Sequence, residues 1–155
     1  CYTATEELID RILVRNRIPQ KEQEQILAYI AGQREMMDKI LLHSSVTEEI
    51  PALGREEFEQ FPMRLSLSGM FYEKDIFYTW EEYQEHLEQI RAYRKMHPGY
   101  TVTENTISAF RNIQIYIHEK KWVMVSKNKA PAIHFLIQHP KMQSAFENMV
   151  IPIVE

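Results

Sequence analysis

With 155 residues, 45% apolar and 26% charged, the chain has room for one ordinary core and is neither a disordered tail nor a collagen-like repeat. A net charge of -4 argues against a domain that grips nucleic acid through its overall field, which needs clustered Lys and Arg. One cysteine excludes an internal disulfide and a multi-cysteine zinc site, and no apolar run approaches the roughly 20 residues of a membrane-spanning helix.

Charge divides the chain. Residues 1–60 carry 7 Lys or Arg against 12 Asp or Glu, whereas residues 61–155 carry 11 against 10. The acidic part reads as helical. Thr3 and Glu6 have the spacing of a capping box, and Leu8, Ile9, Ile12 and Leu13 mark one apolar stripe on a helix that stops near Pro19. A second helix is expected from Gln20 to about Leu42, with Ile26, Ile30, Met37 and Leu41 as a seam for another helix. Residues 1–43 are therefore read as a helical pair that serves as linker and association surface. Residues 44–60, with Pro51, Gly54 and repeated Glu, read as a connector holding about one helical turn.

From Phe61 the period changes. Met63, Leu65 and Leu67 alternate with Arg64, Ser66 and Ser68, which predicts a strand, and Glu73, Lys74 and Asp75 make a turn into a second one at Ile76–Tyr78. Thr79 and Glu82 form another capping box, opening a helix through Tyr83, Leu87, Ile90 and Tyr93 that ends at His97, Pro98 and Gly99. Extended segments follow at 100–104, 112–118, 122–126 and 132–138. The middle pair is a hairpin turning at Glu119, Lys120 and Lys121, and Pro140 launches a last helix. The fold class expected is α+β: an antiparallel sheet (hairpin plus meander) with helices packed on one face, spanning residues 61–155 and preceded by the helical pair.

A search for chemistry gives little. There is no HExxH, no His pair four residues apart and no Cys pair, so no metal is expected. LSLSGM lacks the nucleophile elbow, the Glu clusters read as solvated helix faces, and no phosphate-binding glycine loop points to a nucleotide cofactor. No catalytic residue and no cofactor are assigned. His43 and His97 sit near helix ends, where a cation complements the helix dipole, and His86 reads as a water-facing flank.

Two surfaces remain. If the last three strands run up, down and up, His118 and Lys120 share an edge with His139 and Lys141 at the start of the last helix, an arrangement that suits an anion or merely a solvated hairpin tip. By strand parity, Ile113, Ile115, Ile117, Ile133, Phe135 and Ile137 belong to the core. Gln114, Tyr116 and His134, joined by Trp122, then form a polar-aromatic sheet face. That face suits a small-molecule site, or a surface packed beneath the N-terminal helices.

Cys1 in place of Met fits a piece of a longer chain better than a lipoprotein, because a charged helix begins almost at once without the usual polar tether. YTWEEYQEHLEQIRAY (Tyr78–Tyr93), FRNIQI, KWVMVSK and IHFLIQHP, within residues 58–155, resemble the C-terminal region of Firmicutes transcriptional regulators. Those regulators carry an N-terminal helix-turn-helix of the xenobiotic-response-element type. The resemblance implies a cytoplasmic, non-catalytic effector or assembly domain, with a second copy and a small-molecule effector as partners. DNA would be reached only through a domain outside this chain, and no membrane is involved. A free-standing small enzyme or an envelope lipoprotein is the alternative.

Overall fold

The computed structural model describes residues 2–65, 67, 74–105, 113–118, 121–127 and 133–154, side chains at 105, 127 and 150–154 apart. Helix α1 (Glu6–Arg15) is capped by Thr5, whose hydroxyl accepts from the Leu8 amide, so the cap falls two residues after Thr3. Leu8, Ile9, Ile12 and Leu13 are buried along its stripe as their spacing requires. Asn16 closes the helix with its side-chain amide on the Ile12 carbonyl, and Arg17 takes a left-handed conformation (φ 56°) ahead of Pro19. Helix α2 (Gln20–Leu41) then packs on α1. Its apolar seam is not a free association surface: Ile26, Ile30 and Met37 are buried in the chain's own core, with Leu41 against them.

The largest departure from expectation lies at residues 44–60. The supposed connector contains a strand, β1 (Val46–Pro51), and a short helix, α3 (Arg55–Gln60). Further along come α4 (Trp80–Met96), β2 (Tyr100–Asn105), β3 (Ile113–His118), β4 (Trp122–Lys127), β5 (Ile133–Ile137) and α5 (Pro140–Val154). The sheet order is β2-β1-β3-β4-β5, which makes β1 an inner strand, parallel to β2 and antiparallel to β3. β3, β4 and β5 complete an antiparallel meander. The fold is thus α+β with a mixed, mostly antiparallel sheet led by two helices.

Of the expected hairpin after Phe61, the described residues show an antiparallel bridge between Arg64 and Phe77, flanked by Leu65 N to Ile76 O (2.7 Å) and Tyr78 N to Met63 O (2.9 Å). Residue 66 and the 68–73 turn region lie outside the described residues. The Thr79–Glu82 capping box forms in full, and His97 ends α4 with Nδ1 3.0 Å from the Tyr93 carbonyl.

Strand parity sorts the sheet into two faces. Val46, Glu48, Ile50, Tyr100, Val102, Gln114, Tyr116, His118, Trp122 and Met124 share one face through the strand registers, and α1, α2 and α4 pack over it in the main core. Ile115, Ile117 and Val123 point the other way, into a smaller cluster closed by Phe146 and Met149 of α5. Among the described residues, no helix is long and apolar enough to cross a membrane.

Candidate functional site

The residue that organises the buried face is Glu48. Position 48 of β1 faces α1, α2 and α4, and the side chain is only 3% exposed. A carboxylate in such a place needs donors, because stripping its water without replacement costs several kcal/mol even after relaxation, about the stability of a whole domain. Four donors surround it. The Tyr2 hydroxyl donates to Oε2 at 2.8 Å and the Tyr100 hydroxyl to the same oxygen at 2.6 Å. The Gln114 amide donates to Oε1 at 3.3 Å, and the Tyr116 hydroxyl completes the set.

The four donors come from three places in the chain. Tyr2 precedes α1, Tyr100 opens β2, and Gln114 and Tyr116 sit two apart on β3, hence on one face. The rings pack on each other: Tyr2 lies edge-on to Tyr93 at 5.8 Å and to Tyr100 at 6.5 Å, and Tyr93 reaches Asp38 of α2 at 2.6 Å. Burial first, and the Glu48 charge second, push the hydroxyls of Tyr2, Tyr100 and Tyr116 far above the ordinary tyrosine range. They stay protonated as donors. With its oxygens so engaged, Glu48 ties these elements together.

Beside this cage is a narrow cleft between Ile50, Met63, Arg64, His86, Ile90 and Gln114, with a cavity volume of about 30 Å³. That is room for one or two waters. Gln114 Oε1 is buried there with no hydrogen-bond partner among the described residues. His86 is not on a water-facing flank: Nε2 lies 3.1 Å from the Thr3 hydroxyl and Nδ1 2.8 Å from the Tyr78 hydroxyl. Burial lowers its pKa to about 3, so the imidazole is neutral at neutral pH.

The sheet-face residues singled out in the sequence separate. Gln114 and Tyr116 meet at Glu48, buried within the core. Trp122 is half-buried at the same face's edge, its ring 5.2 Å from His118 in an edge-on contact. His134 is exposed on β5, opposite Ser126, and takes no part in the cage. The parity holds, and of the two readings of this face the structure agrees with the surface packed beneath the N-terminal helices.

The anion cluster fares similarly. β3 ends and α5 begins at the same edge, and Gln143 of α5 donates to the Lys121 carbonyl at 2.8 Å. His118 has its pKa lowered by burial and by the Lys121 charge, and among the described residues its ring nitrogens, both buried, have no hydrogen-bond partner. His139 and Lys141 are exposed, and Lys120 lies outside the described residues. Among the described residues, no group of three or more His, Cys, Asp or Glu could hold a metal.

Sequence reasoning missed Glu48, Tyr2 and Tyr100. A signal existed: Glu48 and Glu49 are flanked by Val46 and Ile50, a short apolar-bounded run compatible with a strand. In comparisons with protein families, curated proteins and solved structures, no match was found.

Proposed function

We propose that this chain is a non-catalytic regulatory domain of a bacterial transcriptional regulator, with DNA read by a helix-turn-helix outside it. The observation that carries the reading is the Glu48 cage, in which one buried carboxylate ties the segment ahead of α1 to β1, β2 and β3. A regulatory domain needs such a coupling, because a signal shifts an equilibrium only through contacts that differ between two arrangements. Here the position of the N-terminal helices and the order of the sheet depend on the same hydrogen bonds. The resemblance of residues 58–155 to effector regions supplies the biological setting.

The test is the whole gene product. A helix-turn-helix encoded ahead of these residues, and a Glu48→Gln change that alters operator affinity at least about fivefold with the fold intact, are the expected results. A signal peptide ending at Cys1 would turn the reading to an envelope lipoprotein. Operator affinity unchanged by Glu48→Gln would remove the cage from the signalling route.

A further inference from the structure

The sheet's two edges are treated differently by the sequence. At one edge, β2 carries Glu104, paired with Arg91 at 2.7 Å, and both α4 and α5 pack against the strand. At the other edge β5 reads Ile-His-Phe-Leu-Ile, with no acidic or basic charge apart from a histidine and no proline. Natural edge strands are ordinarily blunted by Lys, Pro, a bulge or a covering element, because unpaired backbone N–H and C=O groups invite another strand. β5 has none of these among the described residues. Ile137 is half-buried against the cluster under α5, but the other side chains are uncovered on both faces: Phe135 is 65% exposed, Leu136 57% and Ile133 45%, and Met142 in the following turn of α5 is 51% exposed.

We propose that β5 pairs antiparallel with β5 of a second copy of this chain, joining the two sheets edge to edge. The strand matches itself. A two-fold axis through Phe135 sets Phe135 opposite its own copy and Ile133 opposite Ile137 on the α5 side, with His134 opposite Leu136 on the other. Apolar thus meets apolar at Phe135 and at Ile133–Ile137, and no position sets a fixed charge against its like. A partner strand bearing acidic or basic residues would gain no ion pair here, which favours a copy of this uncharged strand. The contact is isologous and closes as a dimer. It also relocates self-association from the α2 seam, which is occupied within the protomer, and it rests on the strand edge alone, independent of the regulatory reading.

A five-residue edge with Met142 beside it is smaller than the roughly 800 Å² per partner of a standard stable interface, so a dissociation constant of about 1–100 μM is expected. Sedimentation equilibrium of the chain across that range should show a monomer–dimer equilibrium. Phe135→Lys, and separately Leu136→Lys, should weaken it at least about tenfold while far-ultraviolet circular dichroism is unchanged, since both side chains are exposed. In a Cys1→Ser background, Phe135→Cys should oxidise to a disulfide-linked dimer, because directly opposed Cα atoms lie about 4.5–5.5 Å apart, within disulfide reach. Thr101→Cys, exposed on β2, should not. A strict monomer at several hundred micromolar, about the weak end of specific association, would overturn the proposal. So would a dimer that both lysine variants leave intact, or equal cross-linking at positions 135 and 101.

Discussion

Glu48→Ala is the sharpest perturbation this structure offers. Charge-assisted hydrogen bonds contribute about 1.5–3 kcal/mol each, so losing the bonds from Tyr2, Tyr100 and Tyr116 removes roughly 5–9 kcal/mol gross. Relief of the buried charge returns several kcal/mol of that. Three phenolic hydroxyls are then left in the core without their acceptor, and the net loss expected is about 3–5 kcal/mol. With a urea slope of about 2 kcal/mol per molar, the unfolding midpoint should fall by roughly 2 M. Glu48→Gln keeps the shape and one acceptor oxygen, and should cost about 1–2 kcal/mol. A double-mutant cycle with Tyr100→Phe should show a coupling of about 1–2 kcal/mol, since the two groups share one hydrogen bond. If Glu48→Ala stays within about 1 kcal/mol of the parent, the cage does not hold the core together, and the reasoning fails.

Acid should weaken the fold through His86, whose folded pKa is lowered to about 3 against about 6.5 unfolded. The unfolded chain then takes up a proton that the fold refuses, so stability is lost as pH falls from about 6.5 towards 3. Between about pH 7 and pH 4.5 the loss should reach about 2 kcal/mol in urea titrations, and His86→Phe should flatten that slope. The opposite limb comes from Tyr2, Tyr100 and Tyr116, whose pKa values are raised in the fold. Their contribution is complete below about pH 10 and lost above it, so tyrosinate absorbance from these residues should appear only with unfolding. At Gly99 an added Cβ would stand 2.8 Å from the Ser44 carbonyl oxygen, beside the bond from Val46 N to Gly99 O, so Gly99→Ala should destabilise by about 1–3 kcal/mol. Gly32, within α2 with nothing near its Cβ position, should instead stabilise by about 0.5–1 kcal/mol as Ala; calorimetry of the pair decides both.

The regular elements were legible where one periodicity dominated. The four-residue stripe of Leu8, Ile9, Ile12 and Leu13, the Thr79–Glu82 box and the alternation of Ile113, Ile115 and Ile117 all act within a few residues, and each formed where its spacing placed it. β1 was only weakly signalled, for a physical reason. Its apolar ends flank two glutamates, and a glutamate pair is ordinarily solvated. Glu48 is buried instead because donors from residues 2, 100, 114 and 116 converge on it, partners as many as 68 positions away that no local window contains. His86 was misplaced for the same reason: Thr3, which engages one of its nitrogens, lies 83 residues earlier.

The burial of both sheet faces carries a wider consequence. Isoleucine at 113, 115 and 117 looked like the natural claimant to the core, and those side chains are partly or wholly buried, yet under a single helix. The face with Gln114 and Tyr116 lies beside the larger cluster because the Gln114 amide and the Tyr116 hydroxyl are directed to one carboxylate, leaving ring edges and aliphatic carbon to pack against α1, α2 and α4. A polar-aromatic strand face is therefore not by itself a binding surface. It becomes core whenever a single buried charge can collect its donors, and that charge then fixes which helices must lie above it. The outer edge of β5 is different: there, among the described residues, exposed apolar side chains lie on the last strand of the sheet, beyond the Glu48 cage.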